Sequence, residues 1–148
     1  MSTLNLAESE ASIIAEVQTL NRDVYEIEMP EDKFLKYDKF GARAAPFYVI
    51  TFSGPLPAPT GDRSLMGAAD DPVQGVVAIQ TCAGDTDSLR TAHTEVLDLL
   101  TGFYPVNSGE MRWGGGNSYS LASNVVRPTL YVRVSFYTYE TNIIFGED

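Results

Sequence analysis

Residues 129 to 139 read TLYVRVSFYTY, and few stretches restrict a chain's architecture as strongly. Side chains alternate across a strand, so a period of two held this long commits the segment to a β-sheet. Its even positions, Leu130, Val132, Val134 and Phe136, predict a core face. Tyr131, Arg133, Ser135, Tyr137 and Tyr139 predict an amphipathic second face. An apolar sheet face needs partner strands and a covering layer. Three further strands are expected. FYVITFS (47–53) is β-branched and aromatic with apolar residues on both faces. VQGVVAIQTC (73–82) supplies a strand, expected near 74–82, with Val77 and Ile79 on one side and Val76 and Ala78 on the other. Asp23 to Met29 alternates Tyr25, Ile27 and Met29 with acids, and Pro30 ends it.

Two amphipathic helices supply the cover. In 86–101, Leu89, His93, Val96, Leu97 and Leu100 fall on one stripe and Thr91, Thr94, Glu95 and Asp98 on the wet face. Asp85 or Thr86 caps it, Asp87 complements its N-terminal dipole, and Gly102 stops it. The first helix spans about Ala7 to Leu20. Leu6, Ile13, Val17 and Leu20 lie in a narrow arc with Ile14 at its edge, and Glu8 or Ser9 stands near its start. The order predicts an α+β fold. It is a single domain over residues 1–148, a mainly antiparallel β-sheet with two helices packed on one face. Proline- and glycine-rich 54–72 and the stretch 106–127 read as long loops, the most mobile parts of an isolated subunit.

Chemistry is sparse. At 148 residues and 44% hydrophobic, the chain can bury a core of its own without a disulfide or metal staple. Its opening, MSTLNLAESEASII, does not predict a secretory signal, and no apolar run approaches a membrane span, so a soluble protein with no membrane partner is expected. A net charge of −10 argues against tight wrapping of nucleic acid, which needs many cationic contacts to phosphate. Lys33, Lys36 and Lys39 read as a solvated linker. Gly114, Gly115 and Gly116 suggest a phosphate loop, but no lysine follows them and NSYSLASN forms helix poorly. Cys82 reads as a small core residue, and Asp70 and Asp71 as a turn without a third metal ligand. His93, the one histidine, reads as a partly buried core ring. No catalytic, cofactor-binding or metal-binding residue is predicted.

Contact explains RWGGGNSYSLASN (112–124) better than catalysis does, because tryptophan and arginine anchor many interfaces. The segment is expected to be an arm that orders against a neighbour. Strand faces such as Tyr48, Ile50 and Phe52, or Tyr131, Tyr137 and Tyr139, hold more sticky surface than a two-layer domain is expected to bury. The interface residues predicted are therefore Arg112, Trp113, Arg133, Tyr131 and Tyr137.

In layout the chain resembles the tail-terminator proteins of long-tailed bacteriophages. The likeness runs through the N-terminal amphipathic helix, the strands FYVITFSG and VQGVVAIQTCAGD, and the helix DTDSLRTAHTEVLDLLTG. It continues through a serine- and glycine-rich loop to the closing strand RPTLYVRVSFYTYET. The resemblance implies a non-enzymatic virion protein without a cofactor, assembled in the host cytoplasm. As a homohexameric ring it would cap the major tail tube protein at the head-proximal end of the tail, end tube growth and meet the head connector or stopper protein. DNA would pass through the lumen without specific binding, which an acidic chain favours. Two rivals stand beside it: another neck or tail-completion protein, and, in a different class, a small α+β ligand-binding or hydrolytic domain using His93.

Overall fold

In the computed structural model, which describes residues 2–4, 6–28, 45–57, 70–121 and 130–145, the chain runs β1 (Ser2–Leu4), α1 (Leu6–Gln18), β2 (Asp23–Glu26), β3 (Phe47–Pro57), β4 (Asp70–Ala83), α2 (Thr86–Leu100), β5 (Arg112–Leu121) and β6 (Leu130–Phe145). Six strands form one sheet in the order β1-β6-β4-β3-β2, with β5 also paired to β6. Strand β4 lines one side of β6, from Ala83 opposite Tyr131 to Asp70 opposite Ile144. The other side is shared: β5 runs along Leu130 to Thr138 and β1 along Ile143 to Phe145. Every pairing is antiparallel except β2 with β3. The fold is the expected α+β domain with a mainly antiparallel sheet.

Local chemistry explains α2. The Asp85 carboxylate accepts the Ser88 N–H at 2.7 Å and the Ser88 hydroxyl at 2.9 Å, which satisfies a first-turn donor. At the other end Thr101 N–H closes on the Leu97 carbonyl, and Gly102 takes φ +85°, a left-handed stop that suits glycine. Leu89, Ala92, His93, Val96 and Leu100 are buried. The Tyr48 hydroxyl rises from β3 to donate to the Ala92 carbonyl at 2.8 Å, pinning helix to sheet with a buried bond worth about 1 kcal/mol.

Helix α1 buries Ser9, Ile13 and Val17 at a spacing of four. It begins at Leu6, so Ser9 lies inside it rather than at its cap. Its hydroxyl donates to the Val106 carbonyl at 2.7 Å and lies 2.7 Å from the Ser108 hydroxyl. Val106 N–H donates to Ser12 Oγ, and Asn107 Nδ2 to Glu8. Residues 106–108 are thus fastened to α1.

The main core combines Ile13 and Val17 with Ala92, Val96 and Leu100 over Tyr48, Ile50, Val77, Ile79, Tyr137 and Tyr139. A second cluster, Phe47, Val49, Cys82, Val132 and Val134, occupies the opposite sheet face. The closing strand therefore buries residues on both faces. Its odd tyrosines 137 and 139 lie under the helices, Val132 and Val134 fill the second cluster, and Phe136 stays 37% exposed. Gly75, opposite Tyr139, makes room for that ring: a Cβ there would stand 2.4 Å from Tyr139 Cζ.

Several expectations need correction. The 54–72 loop is shorter, because β3 continues through a bulge between Ser53 and Leu56 to Pro57 and β4 already starts at Asp70. Asp70 and Asp71 are strand residues opposite Ile144 and Ile143, not a turn. The 106–127 loop contains strand β5. Strand β2 ends at Glu26 because Ile27 turns to φ 72° and Glu28 N–H folds back onto the Glu26 carbonyl. Met29, Pro30, the lysines at 33, 36 and 39, and loop residues 58–69 and 122–127 lie outside the described residues.

Candidate functional site

Strand pairing accounts for the glycine triplet. Arg112 and Trp113 lie opposite Thr138 and Tyr137, and the register then shifts so that Gly116 meets Ser135. An extra stretch of backbone must bulge between them. Gly115 takes φ +109° in that bulge, and Gly116 packs so closely that a Cβ would lie 2.1 Å from the Val134 carbonyl oxygen. The triplet is neither a phosphate cradle nor an arm: it is the kink in a strand. Beyond it, Asn117, Ser118, Tyr119 and Ser120 pair with Val134 through Tyr131. The Tyr119 hydroxyl donates to Gln80 Oε1 at 2.8 Å, reaching past β6 to β4.

Strand β5 pairs only with β6 among the described residues, so its outer edge is a row of backbone donors and acceptors, the usual template for adding another chain. Of the five residues expected at an interface, Arg112, Trp113 and Arg133 are exposed and Tyr131 is half-buried. Trp113 stands 55% exposed although it lies beside a buried tyrosine. The fifth, Tyr137, is a correction: it is fully buried beneath α2, with its hydroxyl 3.3 Å from Thr101 Oγ1. Two helices over the sheet bury Tyr48, Ile50, Tyr137 and Tyr139 completely, so that face is not surplus sticky surface.

A cleft of about 420 Å³ opens between the first turn of α2 and the β5–β6 edge. Thr86 and Arg90 line it from the helix, Ser118 and Ser120 from β5, and Tyr131 and Arg133 from β6. Arg90 also donates to Asp87 at 2.8 Å, a largely exposed pair worth little. Arg133 meets no acid among the described residues, and its electrostatic neighbour is another potential cation, His93. Sequence reading missed Arg90, Thr86 and the two serines. The alternation in NSYSL was the available signal for a strand, but the glycines before it masked the pattern.

His93 is 5% exposed, as its place on the α2 stripe suggested. Its Nδ1 finds no hydrogen-bond partner among the described residues. Burial first, and Arg133 second, hold its pKa below the ordinary value of 6.5. The unfolded chain therefore takes up a proton at a higher pH than the folded one. The stability from keeping this ring neutral is full above about pH 6.5 and falls as pH drops toward the folded value. His93→Ala should flatten that part of the stability–pH curve while costing about 1–3 kcal/mol through the cavity left. Denaturant titrations of both proteins across this range check it; an unchanged slope would place the ring in solvent. Cys82 is inert for a similar reason, its thiol pushed up to about 12 by burial.

No protein-family model matches the chain, and no curated protein matches it either.

Proposed function

We propose that this protein is a structural assembly subunit, a ring that caps the tail tube of a long-tailed bacteriophage, ends tube growth and presents a surface to the head. The observation that carries the reading is the exposed outer edge of β5. It sets Arg112 and a 55% exposed Trp113 on a firmly paired strand whose farther half, Ser118 to Ser120, lines the cleft with Arg133. Arginine and tryptophan held on a rigid edge suit a recurring contact between subunits, or between ring and tube. The resemblance of the sequence layout, a helix, three strands, a second helix and a closing strand, to tail terminators supports the same reading. So does a net charge of −10, which suits a lumen through which DNA slides.

A phage lacking the protein should make tubes of unregulated length or tubes that do not join heads. Arg112→Ala with Trp113→Ala, both on exposed positions, should reproduce part of that defect with a melting temperature near the parent's. Electron microscopy of tails and infectivity counts check both. Normal, head-joined tails made without the protein would sink the terminator reading. A second reading rests on the cleft lying one helical turn from His93: a small-molecule hydrolase. Turnover by the purified subunit that disappears in His93→Ala would favour it.

A further inference from the structure

We propose that the cleft between α2 and the β5–β6 edge is a carboxylate site that receives Glu26 and Glu28 from a second copy of this chain. The inference rests on the assembly reading and names the contact through which copies would join. The cleft is equipped for an oxyanion. Arg133 is exposed and has no acid beside it among the described residues, Arg90 stands across from it, and Ser118 and Ser120 offer hydroxyl donors. Thr86 marks the N-terminal end of α2, where the helix dipole also favours negative charge. Asp87 opposes this in part, but it lies on the solvent side and is paired with Arg90.

The occupant follows from the charge balance and the strand order. The chain carries 20 acids against 10 bases, so a second copy is rich in carboxylates. The arginine cleft lies at the β5 end of the sheet, whereas the opposite end is β2. There Glu26 and Glu28 are exposed. The carboxyl of nearby Glu10 is raised, by burial first and by Glu26 second, so a cation arriving at this edge relieves like-charge crowding. Among the described residues, the β2 edge thus displays Glu26 and Glu28, and the cleft displays an Arg133 guanidinium with no acid beside it. Two different patches meeting make a head-to-tail contact, which closes into a ring when the rotation allows. Charge pairs across such contacts act strongly when water is excluded.

Charge exchange tests the pairing. Self-association is measured by sedimentation for the parent, for Arg133→Glu, for Glu26→Arg with Glu28→Arg, and for all three changes together. Each one-sided variant should associate about tenfold or more weakly, and the combined variant should recover to within about threefold of the parent. Arg133→Gln, which removes charge without reversing it, should fall between and keeps the test valid if Arg133→Glu does not fold. The single histidine gives a second readout. A carboxylate placed against Arg133 offsets the charge that lowers His93, so its pKa should rise on association. One-sided variants that associate like the parent, a combined variant that does not recover, or a parent that stays a lone subunit both free and on tail tubes would each overturn the site. A phage whose tails are normal without the protein would instead overturn the terminator reading, and leaves the charge-exchange result standing.

Discussion

Tyr137→Ala should destabilise the protein by about 3–5 kcal/mol, the range for emptying a large aromatic side chain from a packed core. The ring has no exposed surface, and it lies opposite Val77 in the sheet, beneath α2 and among Ile79, Val96 and Leu100. Little in that surround can collapse into the space, because strands on both sides hold β6 in place. The loss also removes a hydroxyl contact with Thr101. Against a typical total stability of about 5–15 kcal/mol, a change of this size leaves a visible unfolded fraction on mild heating. Trp113→Ala, one step across the ladder but exposed, should shift the midpoint by a few tenths of a kcal/mol at most. Urea titrations of the two variants side by side decide the matter. Equal midpoints would mean that Tyr137 faces outward and belongs to an interface after all.

The second large effect is expected at Gly116. Glycine to alanine in a strand ordinarily stabilises slightly, since it narrows the unfolded ensemble. Here the sign should reverse. The new methyl would meet the Val134 carbonyl oxygen at 2.1 Å, and a backbone atom in the middle of β6 cannot swing aside as a side chain does. Overpacking of this kind costs about 1–3 kcal/mol, and the cheapest escape is for β5 to leave β6. Amides of 112–121 should then exchange with solvent far faster while those of α2 keep their protection. Gly114→Ala, whose Cβ would sit an ordinary 3.5 Å from the Phe136 carbonyl, is the matched control. If the two variants exchange alike along β5, the close approach at Gly116 is not what anchors the strand.

These effects mark where sequence reasoning reached and where it stopped. Helix α2 was legible because its caps are local: Asp85 and Gly102 act within one turn of the residues they terminate. The alternation in 130–139 was legible as strand, but which face mattered was not. That depends on both faces being filled, by helices over Tyr137 and Tyr139 and by the Phe47–Val49–Cys82 cluster over Val132 and Val134. From sequence alone β5 reads as a loop, because its glycines and asparagine have poor intrinsic strand preference. Pairing with β6 overrides that preference, and the glycines serve the bulge. Three-residue β1 carries no periodic signal, and its partner lies at the other end of the sequence. The cleft was invisible for the same reason. Arg90, Ser118 and Arg133 belong to three elements, and only the register of β5 on β6 brings them together.

The placement of β6 has a consequence for how the chain is born. Among the described strands it is made last, yet β4, β5 and β1 all pair with it and Tyr137 and Tyr139 complete the main core. A ribosome releasing this protein extrudes the β3–β4 hairpin and both helices well before the strand that joins them. During that interval the long valine- and isoleucine-bearing edge of β4 is unpaired, and an edge of that kind invites the wrong partner. Closure is then nearly all-or-none and dominated by contacts far apart in sequence, the regime of slow folding. Vectorial synthesis thus leaves the sheet half built until β6 arrives, and safe passage depends on that strand pairing before the open edge of β4 meets a neighbour.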